Sequence, residues 1–229
     1  KVADPAGGAF AVEKLTDDLA VAGWEELGRL ESPSSGGGVG GVVAAIEDGS
    51  LESRIEDVVA ERDRRIATRE HALTGLTEFP NLHETLPVRA PYPDDAFLVR
   101  PYGEPFEKLR DDPPDEPVFL ATMGPIAQHT ARASFVTNLL AAGGVSVEVA
   151  GHTDGVDSLI RGNDGRSVVC LAGSEAAYAE WGAEAAAALR ANGAKWIIIA
   201  GKPTDYADDS CAMGVDALDF LHRTREKLA

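Results

Sequence analysis

Apolar side chains recur at helical spacing in the first third of the chain. The first stripe predicts an amphipathic helix, built on Val12, Leu15, Leu19, Ala22, Leu27 and Leu30. The connection "SPSSGGGVGG" at 32–41 contains five glycines and ends this helix. A second helix is predicted after Ser50, a favourable N-cap, on the stripe Leu51, Ile55, Val58 and Ile66.

Residues 73–116 show no such period. Eight prolines in this segment exclude long helices and central strands. Five aromatic side chains are spread among them, more than a disordered linker would carry: Phe79, Tyr92, Phe97, Tyr102 and Phe106. We expect an extended proline-rich arm, and the sequence leaves open whether it packs on its own chain or on a partner.

From Pro117 onward, short apolar runs alternate with helical patterns. Four strands are predicted in "PVFLATMG", "VSVEVAG", "SVVCLAG" and "AKWIIIAG", and the last helix in "MGVDALDFLHRTREKLA". Strands that are apolar on both faces and alternate with helices are typical of a parallel, doubly wound α/β sheet. We therefore assign an α/β domain to 117–229.

Two connections in this predicted domain differ from those of a usual doubly wound sheet: one is short, and one is polar where a strand would be expected. Only about 16 residues separate the second and third predicted strands, enough for one short helix. The stretch after the fourth strand, "KPTDYADDSCA", is polar where a fifth strand would be usual. We expect either a reduced version of the fold or a chain from which residues are missing near 152–167 and 202–212.

The net charge and the two cysteines argue against several kinds of partner and site. With 38 acidic and 21 basic side chains, the net charge of −17 disfavours nucleic acid and anionic membrane surfaces as partners. Neither a zinc pattern nor a disulfide framework is built on Cys170 and Cys211, and the longest apolar run is too short to cross a bilayer. We expect a soluble cytoplasmic protein.

The chain begins "KVADPAGGAF", like the interior of a domain, so we expect a fragment that lacks a large N-terminal part.

Candidate chemistry is sparse. Ligands of open α/β sheets bind at the carboxyl ends of the strands, where this chain places Gly124, Gly151, Gly173 and Gly201. Tight strand-to-helix turns are the favoured explanation of these glycines, and neither a dinucleotide nor a P-loop motif is present. Of five histidines, only His129 and His152 fall at this rim, and no Ser–His–Asp arrangement is legible. His129 is a candidate metal or cofactor ligand, with a packing role as the alternative.

Two tracts carry a family resemblance. "DPAGGAFAVEKLTDDLA" (4–20) and "LTGLTEFPNL" (73–82), followed by an α/β domain, resemble the methylmalonyl-CoA mutase family. Within it, the chain is similar to the carboxy-terminal half of the smaller subunit of the bacterial heterodimeric enzymes. The resemblance implies that 1–72 comprises the end of a (β/α)₈ barrel and a helical linker. It also implies that 117–229 is a flavodoxin-like domain of the cobalamin-binding type.

Cobalamin-binding members of this family carry Asp-x-His-x-x-Gly after the first strand, with the histidine as cobalt ligand. Alignment on Met123–Gly124 puts other residues at all three positions: Ile126, Gln128 and Ala131. A shift by one residue recovers His129 but puts Ala127 at the Asp position and Arg132 at the Gly position. The resemblance therefore implies that this chain holds no cobalamin, and the alternative is a degenerate site that binds cobalamin through His129.

The function implied by the resemblance is that of a non-catalytic small subunit. It would form a heterodimer with a catalytic large (alpha) subunit that carries adenosylcobalamin. That partner would interconvert methylmalonyl-CoA and succinyl-CoA by a radical rearrangement, so this chain is expected to contribute interface rather than catalytic residues.

Overall fold

The computed structural model describes residues 3–31, 41–85, 87–90 and 100–229. Most of the predicted glycine-rich connection lies outside the described residues, as do Pro91, Tyr92, Pro93 and Phe97 of the predicted arm. The chain divides into two compact units, Lys1–Glu61 and Arg62–Ala229. None of the helices in the described part of the chain is long and apolar enough to cross a membrane.

The first unit is helical, as the periodicity predicted. It contains α1 (Phe10–Glu31), α2 (Val42–Glu47) and the start of α3 (Ser50–Ala67), whose last turns belong to the second unit. The cap of α3 differs from the prediction, in which the Ser50 hydroxyl would accept a backbone N–H. Instead, the Asp48 carboxylate accepts the backbone N–H of Ser50 at 2.9 Å.

Helix α1 buries none of its residues. Seven of its large apolar side chains are exposed: Phe10, Val12, Leu15, Leu19, Val21, Trp24 and Leu27. Exposed large apolar side chains in this number are typical of a segment that packs against further protein.

The second unit is built on a parallel five-stranded sheet, which confirms the α/β fold class. The strands are β1 (Val118–Thr122), β2 (Val147–Val149), β3 (Val168–Ala172), β4 (Trp196–Ala200) and β5 (Asp209–Cys211), in the spatial order β2-β1-β3-β4-β5. This order and the parallel pairing are those of a flavodoxin-like domain. Every residue of β1 and β3 is buried, because helices cover both faces.

Helices form the outer layers. One face of the sheet packs against α4 (Glu104–Asp111), α5 (Ile126–Ala142) and α9 (Ala217–Leu228), with Leu120, Cys170 and Ile198 at the centre of that core. The opposite face packs against α6 (Val156–Gly162) and against a continuous helix formed by α7 (Glu175–Ala177), a π-helical segment (Tyr178–Gly182) and α8 (Ala183–Ala191).

The fifth strand lies in the polar stretch for which none was predicted. β5 pairs in parallel with β4, Ile198 opposite Asp209 and Ala200 opposite Cys211. A crossover ordinarily needs a dozen or more residues, yet 201–208 joins the two strands without a helix among the described residues. Tyr206 from this connection packs on the sheet face that a crossover helix would cover. The five-stranded sheet therefore forms with a reduced connection.

The predicted arm contains a helix. α4 lies within 73–116, so an extended conformation is the wrong description for Glu104–Asp111. Phe106 and Leu109 on its inner face are buried in the same core as α5 and α9. This part of the arm packs on its own chain.

Candidate functional site

The place where a flavodoxin-like sheet would bind a ligand is the crevice at the carboxyl ends of β1 and β3. The chain leaves these neighbouring strands in opposite directions, which ordinarily opens a gap between the loops that follow them. Here the loops are Met123–Pro125 and Gly173–Ser174. They lie in contact, since a Cβ built on Gly173 would be 2.8 Å from the Cβ of the fully buried Met123.

Tyr178 lies beside the crevice, at the carboxyl ends of β3 and β4. It is the first residue of the π-helical segment, and its hydroxyl accepts the backbone N–H of Gly173 at 2.9 Å. The same hydroxyl lies 3.1 Å from the carbonyl oxygen of Leu171 and 2.9 Å from that of Ala200, to which it can donate its one proton. The phenol thus joins the carboxyl ends of β3 and β4.

Arg132 of α5 reaches the loop after β3. Its guanidinium donates to the carbonyl oxygen of Gly173 at 2.5 Å and pairs with the Glu175 carboxylate. The same guanidinium lies 4.9 Å from the centroid of the Tyr178 ring. Arg132 and Tyr178 therefore cover the carboxyl ends of β3 and β4, beside the point where the two loops meet.

His129 lies in a helix rather than in a loop. Its side chain belongs to the start of α5, the residue is 5% exposed, and Nδ1 is 3.1 Å from the carbonyl oxygen of Gly124. Ile126, Ala127, Gln128 and Ala131 belong to the same helix. The structure therefore gives the His129 ring a backbone partner in place of the carboxylate that would fix a cobalt-ligating imidazole. His152, the other predicted rim histidine, is exposed on the loop after β2.

The loops after β1 and β2 are also tied together. The Thr153 hydroxyl donates to the carbonyl oxygen of Thr122, and the Thr122 hydroxyl donates to that of Gly151. Gly124 has a φ of +78° and forms an isolated bridge with Thr153. These contacts fix the β1 loop against its second neighbour and leave it no freedom to swing outward.

Two buried titratable groups, Tyr178 and Cys170, are held in their neutral forms. Burial raises the pKa of Tyr178 well above its ordinary value. The pKa of the Cys170 thiol is also raised, first by its hydrogen bond with Cys211 and then by burial. Neither residue is thus poised as a nucleophile or base. In the part of the chain that the structure describes, no group of three or more His, Cys, Asp or Glu side chains is arranged to hold a metal ion.

Replacing Tyr178 by Phe should lower the free energy of unfolding by about 1–3 kcal/mol at neutral pH, because the buried Gly173 N–H loses its acceptor. The pKa of Tyr178 is raised in the folded protein, so its contribution is complete below about pH 10, the ordinary tyrosine value, and is lost as the pH rises through the folded value. Urea denaturation from pH 7 to 11 should show the gap between wild type and variant narrowing above about pH 10.

Tyr102→Phe is the matched control for that series, since Tyr102 is half exposed. Its unfolding free energy should follow the wild type at every pH. A gap between wild type and Tyr178→Phe that stays constant up to pH 11 would contradict the assigned role of the buried phenol.

Sequence reasoning found only part of this arrangement. Arg132 was noticed as the residue at a glycine position and not as a cover for the crevice, and Tyr178 was missed. The available signal was the placement of a tyrosine one turn after Ser174, whose hydroxyl accepts the N–H of Ala177 and starts the helix. A polar aromatic side chain there points back toward the end of β3.

Comparison with known proteins shows which family this chain is similar to. A family model described as methylmalonyl-CoA mutase matches residues 1–141. The small subunit of methylmalonyl-CoA mutase from Streptomyces virginiae is 36% identical over the whole of this chain, which spans 38% of that relative. The small subunit from Propionibacterium freudenreichii subsp. shermanii is 30% identical, again over the whole chain and 38% of the relative.

The large subunit from that same organism is 31% identical over 118 residues, which are 52% of this chain and 15% of the relative. The similarity to small subunits thus extends further along the chain than the similarity to this large subunit. The chain spans well under half the length of each of these relatives.

Proposed function

The chain belongs to the methylmalonyl-CoA mutase family, and we propose that it is the carboxy-terminal part of a non-catalytic small subunit. In this proposal it pairs with a large subunit that binds adenosylcobalamin and interconverts methylmalonyl-CoA and succinyl-CoA. The small-subunit names of relatives that align with the whole chain support the assignment to this subunit.

The closed crevice is the observation that carries the non-catalytic role. Adenosylcobalamin supplies a radical when its cobalt–carbon bond breaks, and a flavodoxin-like domain would have to seat its ring and tail at the carboxyl ends of the strands. In this chain the loops after β1 and β3 lie in contact at that place, and Arg132 and Tyr178 cover the neighbouring carboxyl ends of β3 and β4. The residues present do not fit the cofactor, so we assign cobalamin to the partner alone.

The competing function is cobalamin binding by this chain through His129. One observation favours it, because a metal-ligating histidine often donates its second ring nitrogen to a backbone carbonyl, as Nδ1 can to Gly124. The low exposure of His129 and its place inside α5 weigh against it. A cobalt ion carrying a corrin ring needs an imidazole that projects from the protein.

The exposed apolar face of α1 supports a role in assembly. Seven large apolar side chains of this helix are uncovered, which would be costly for a helix that stands free in water. We propose that α1 packs against barrel-type structure of the complete subunit. We also propose a cytoplasmic location, in keeping with the two cysteines being free, buried thiols.

Cobalamin stoichiometry tests the proposed function. The complete small subunit, co-purified with its large subunit, should carry one cobalamin per heterodimer. Titration of this chain with cobalamin should leave the cofactor spectrum unchanged, and His129→Ala should behave like the wild type. Two cobalamins per pair, or a base-off, histidine-on spectrum that His129→Ala abolishes, would establish the competing function instead.

A further inference from the structure

The edge strand β5 is joined to the rest of the sheet in an unusual way. These residues lie outside the crevice and take no part in the proposed function. The strand has three residues, Asp209–Cys211, and Cys211 is its one buried residue. The connection 201–208 supplies no helix among the described residues. A segment with so little buried apolar surface opens locally at a lower cost in free energy than the core of a domain.

A carboxylate–arginine pair holds the start of this strand on one face of the sheet. Asp208, the residue before β5, accepts the backbone N–H of Ile197 at 2.7 Å and an N–H of the Arg190 guanidinium at 2.8 Å. Arg190 belongs to α8, which packs on that face. Its guanidinium also donates to the carbonyl oxygen of Tyr206 at 3.4 Å. Polar contacts therefore fix the connection and the start of β5 to the α8 layer.

A second pair holds the strand on the opposite face. Asp209 is the next residue, and successive side chains of a strand point to opposite faces. Arg223 of α9 binds both oxygens of this carboxylate, Nε to Oδ2 at 2.9 Å and Nη2 to Oδ1 at 3.1 Å. The Asp209 side chain is 12% exposed, so this bidentate pair is better shielded from water than an ordinary surface pair. Two adjacent carboxylates thus tie β5 to both helical layers.

The buried side chain of this strand is one of two neighbouring thiols. Cys211 is 1% exposed and hydrogen-bonds with the fully buried Cys170 of β3. Strand β4 lies between their strands, with Ile198 opposite Cys170 and Ala200 opposite Cys211. If β5 leaves the sheet, Cys211 moves into water with it. Cys170 stays in the central strand, whose residues are all buried.

We propose that β5 is an electrostatic latch. The Asp208–Arg190 and Asp209–Arg223 pairs hold it closed, and it opens as a unit that exposes the Cys211 thiol while the rest of the sheet stays folded. Ionic strength controls such a latch, because salt screens the two pairs. Salt also screens the self-repulsion of a chain with a net charge of −17, which favours the compact core. Salt therefore acts on the latch and on the core in opposite directions.

Alkylation of the two thiols tests the latch, because a buried thiol reacts only while the structure around it is open. Iodoacetamide is added to the 229-residue chain at about pH 8, where an exposed thiolate displaces iodide and forms a carbon–sulfur bond. Mass spectrometry of tryptic peptides gives a rate for each thiol. Cys211 should react about tenfold or more faster than Cys170. Raising the salt from about 0.05 M to about 1 M should raise the Cys211 rate about twofold or more and leave the Cys170 rate the same or lower. Equal rates for the two thiols at both salt concentrations would mean that global unfolding exposes them together, and would overturn the proposal.

A matched pair of variants separates the latch from overall stability. Asp209→Asn keeps the shape of the side chain and removes its charge, so the Cys211 rate should rise about tenfold or more while the Cys170 rate stays within about twofold. Asp219→Asn is the control, because Asp219 pairs with the same Arg223 from an exposed position on α9. It should change either rate by no more than about twofold. If Asp209→Asn accelerates both thiols equally, the pair stabilises the whole fold rather than a latch, and if it accelerates neither, the pair does not hold the strand; each result contradicts the proposal. Should Asp209→Asn fail to fold, the salt series on the wild type decides alone.

Discussion

Phe106→Ala should lower the free energy of unfolding of this protein by about 3–5 kcal/mol, the usual cost of emptying a phenylalanine site in a core. Phe106 is fully buried and belongs to the cluster that contains Leu109 and the inner residues of α5 and α9. Phe106 and Leu109 are the buried residues of α4, so the helix has no other buried side chain that could move in and refill the space. The cavity left by the substitution should therefore persist. Urea denaturation, with the midpoint and slope compared to wild type, measures the loss.

Tyr102→Ala is the control from the same segment. Its ring is half exposed and stacks on the Arg62 guanidinium, with 4.0 Å between the guanidinium carbon and the ring centroid. Removing it should cost only about 1 kcal/mol or less. A Phe106→Ala loss as small as this would mean that the arm is not an integral part of the α/β core.

The contacts around α4 explain why the arm docks on its own chain. Arg225 of α9 donates to the carbonyl oxygen of Leu109 at 2.9 Å and to that of Gly143 at 3.1 Å. One cation thereby satisfies carbonyl groups at the carboxyl ends of both α4 and α5. At the other end of α4, Gly103 packs directly on Leu76, where a side chain would not fit. These partners are distant in sequence, so the proline count alone could not predict them.

The strands were predictable where their sequences are apolar. β1, β3 and β4 are continuous apolar runs because both of their faces are covered, and each was located from the sequence. The edge strand β2 was located through Val147 and Val149, whereas the edge strand β5 was not, because Asp209 and Ser210 are polar and Cys211 is its one buried residue. α4 was missed for a related reason, since eight residues are too few to establish a helical period.

The candidate site shows the same division between local and distant information. The identities of residues 126–132 are enough to show, from the sequence alone, that the Asp-x-His-x-x-Gly pattern is absent there. That Arg132 reaches Gly173, 41 positions away, and that the Tyr178 hydroxyl reaches Ala200 required the folded arrangement. Sequence could therefore predict that the ligand motif is lost, and the structure supplies the side chains that cover the carboxyl ends of β3 and β4.

Gly173→Ala should destabilise the protein by about 1–3 kcal/mol, because overpacking forces backbone or core side chains to move. The new Cβ would lie 2.8 Å from the Cβ of Met123 and 3.4 Å from the Tyr178 ring. A Cβ atom cannot rotate away as the end of a long side chain can. The β1 and β3 loops would have to separate, which also strains the hydrogen bond from the Gly173 N–H to Tyr178.

Gly162→Ala is the matched control, because its added Cβ would meet the Phe119 ring at an ordinary 3.4 Å. Its free energy of unfolding should stay the same or rise by up to about 1 kcal/mol, since alanine restricts the unfolded chain and favours helix. If the crevice were open, as a cofactor site requires, both substitutions would be tolerated alike. Equal unfolding free energies for Gly173→Ala and wild type in urea would therefore contradict the closed crevice on which the non-catalytic role depends.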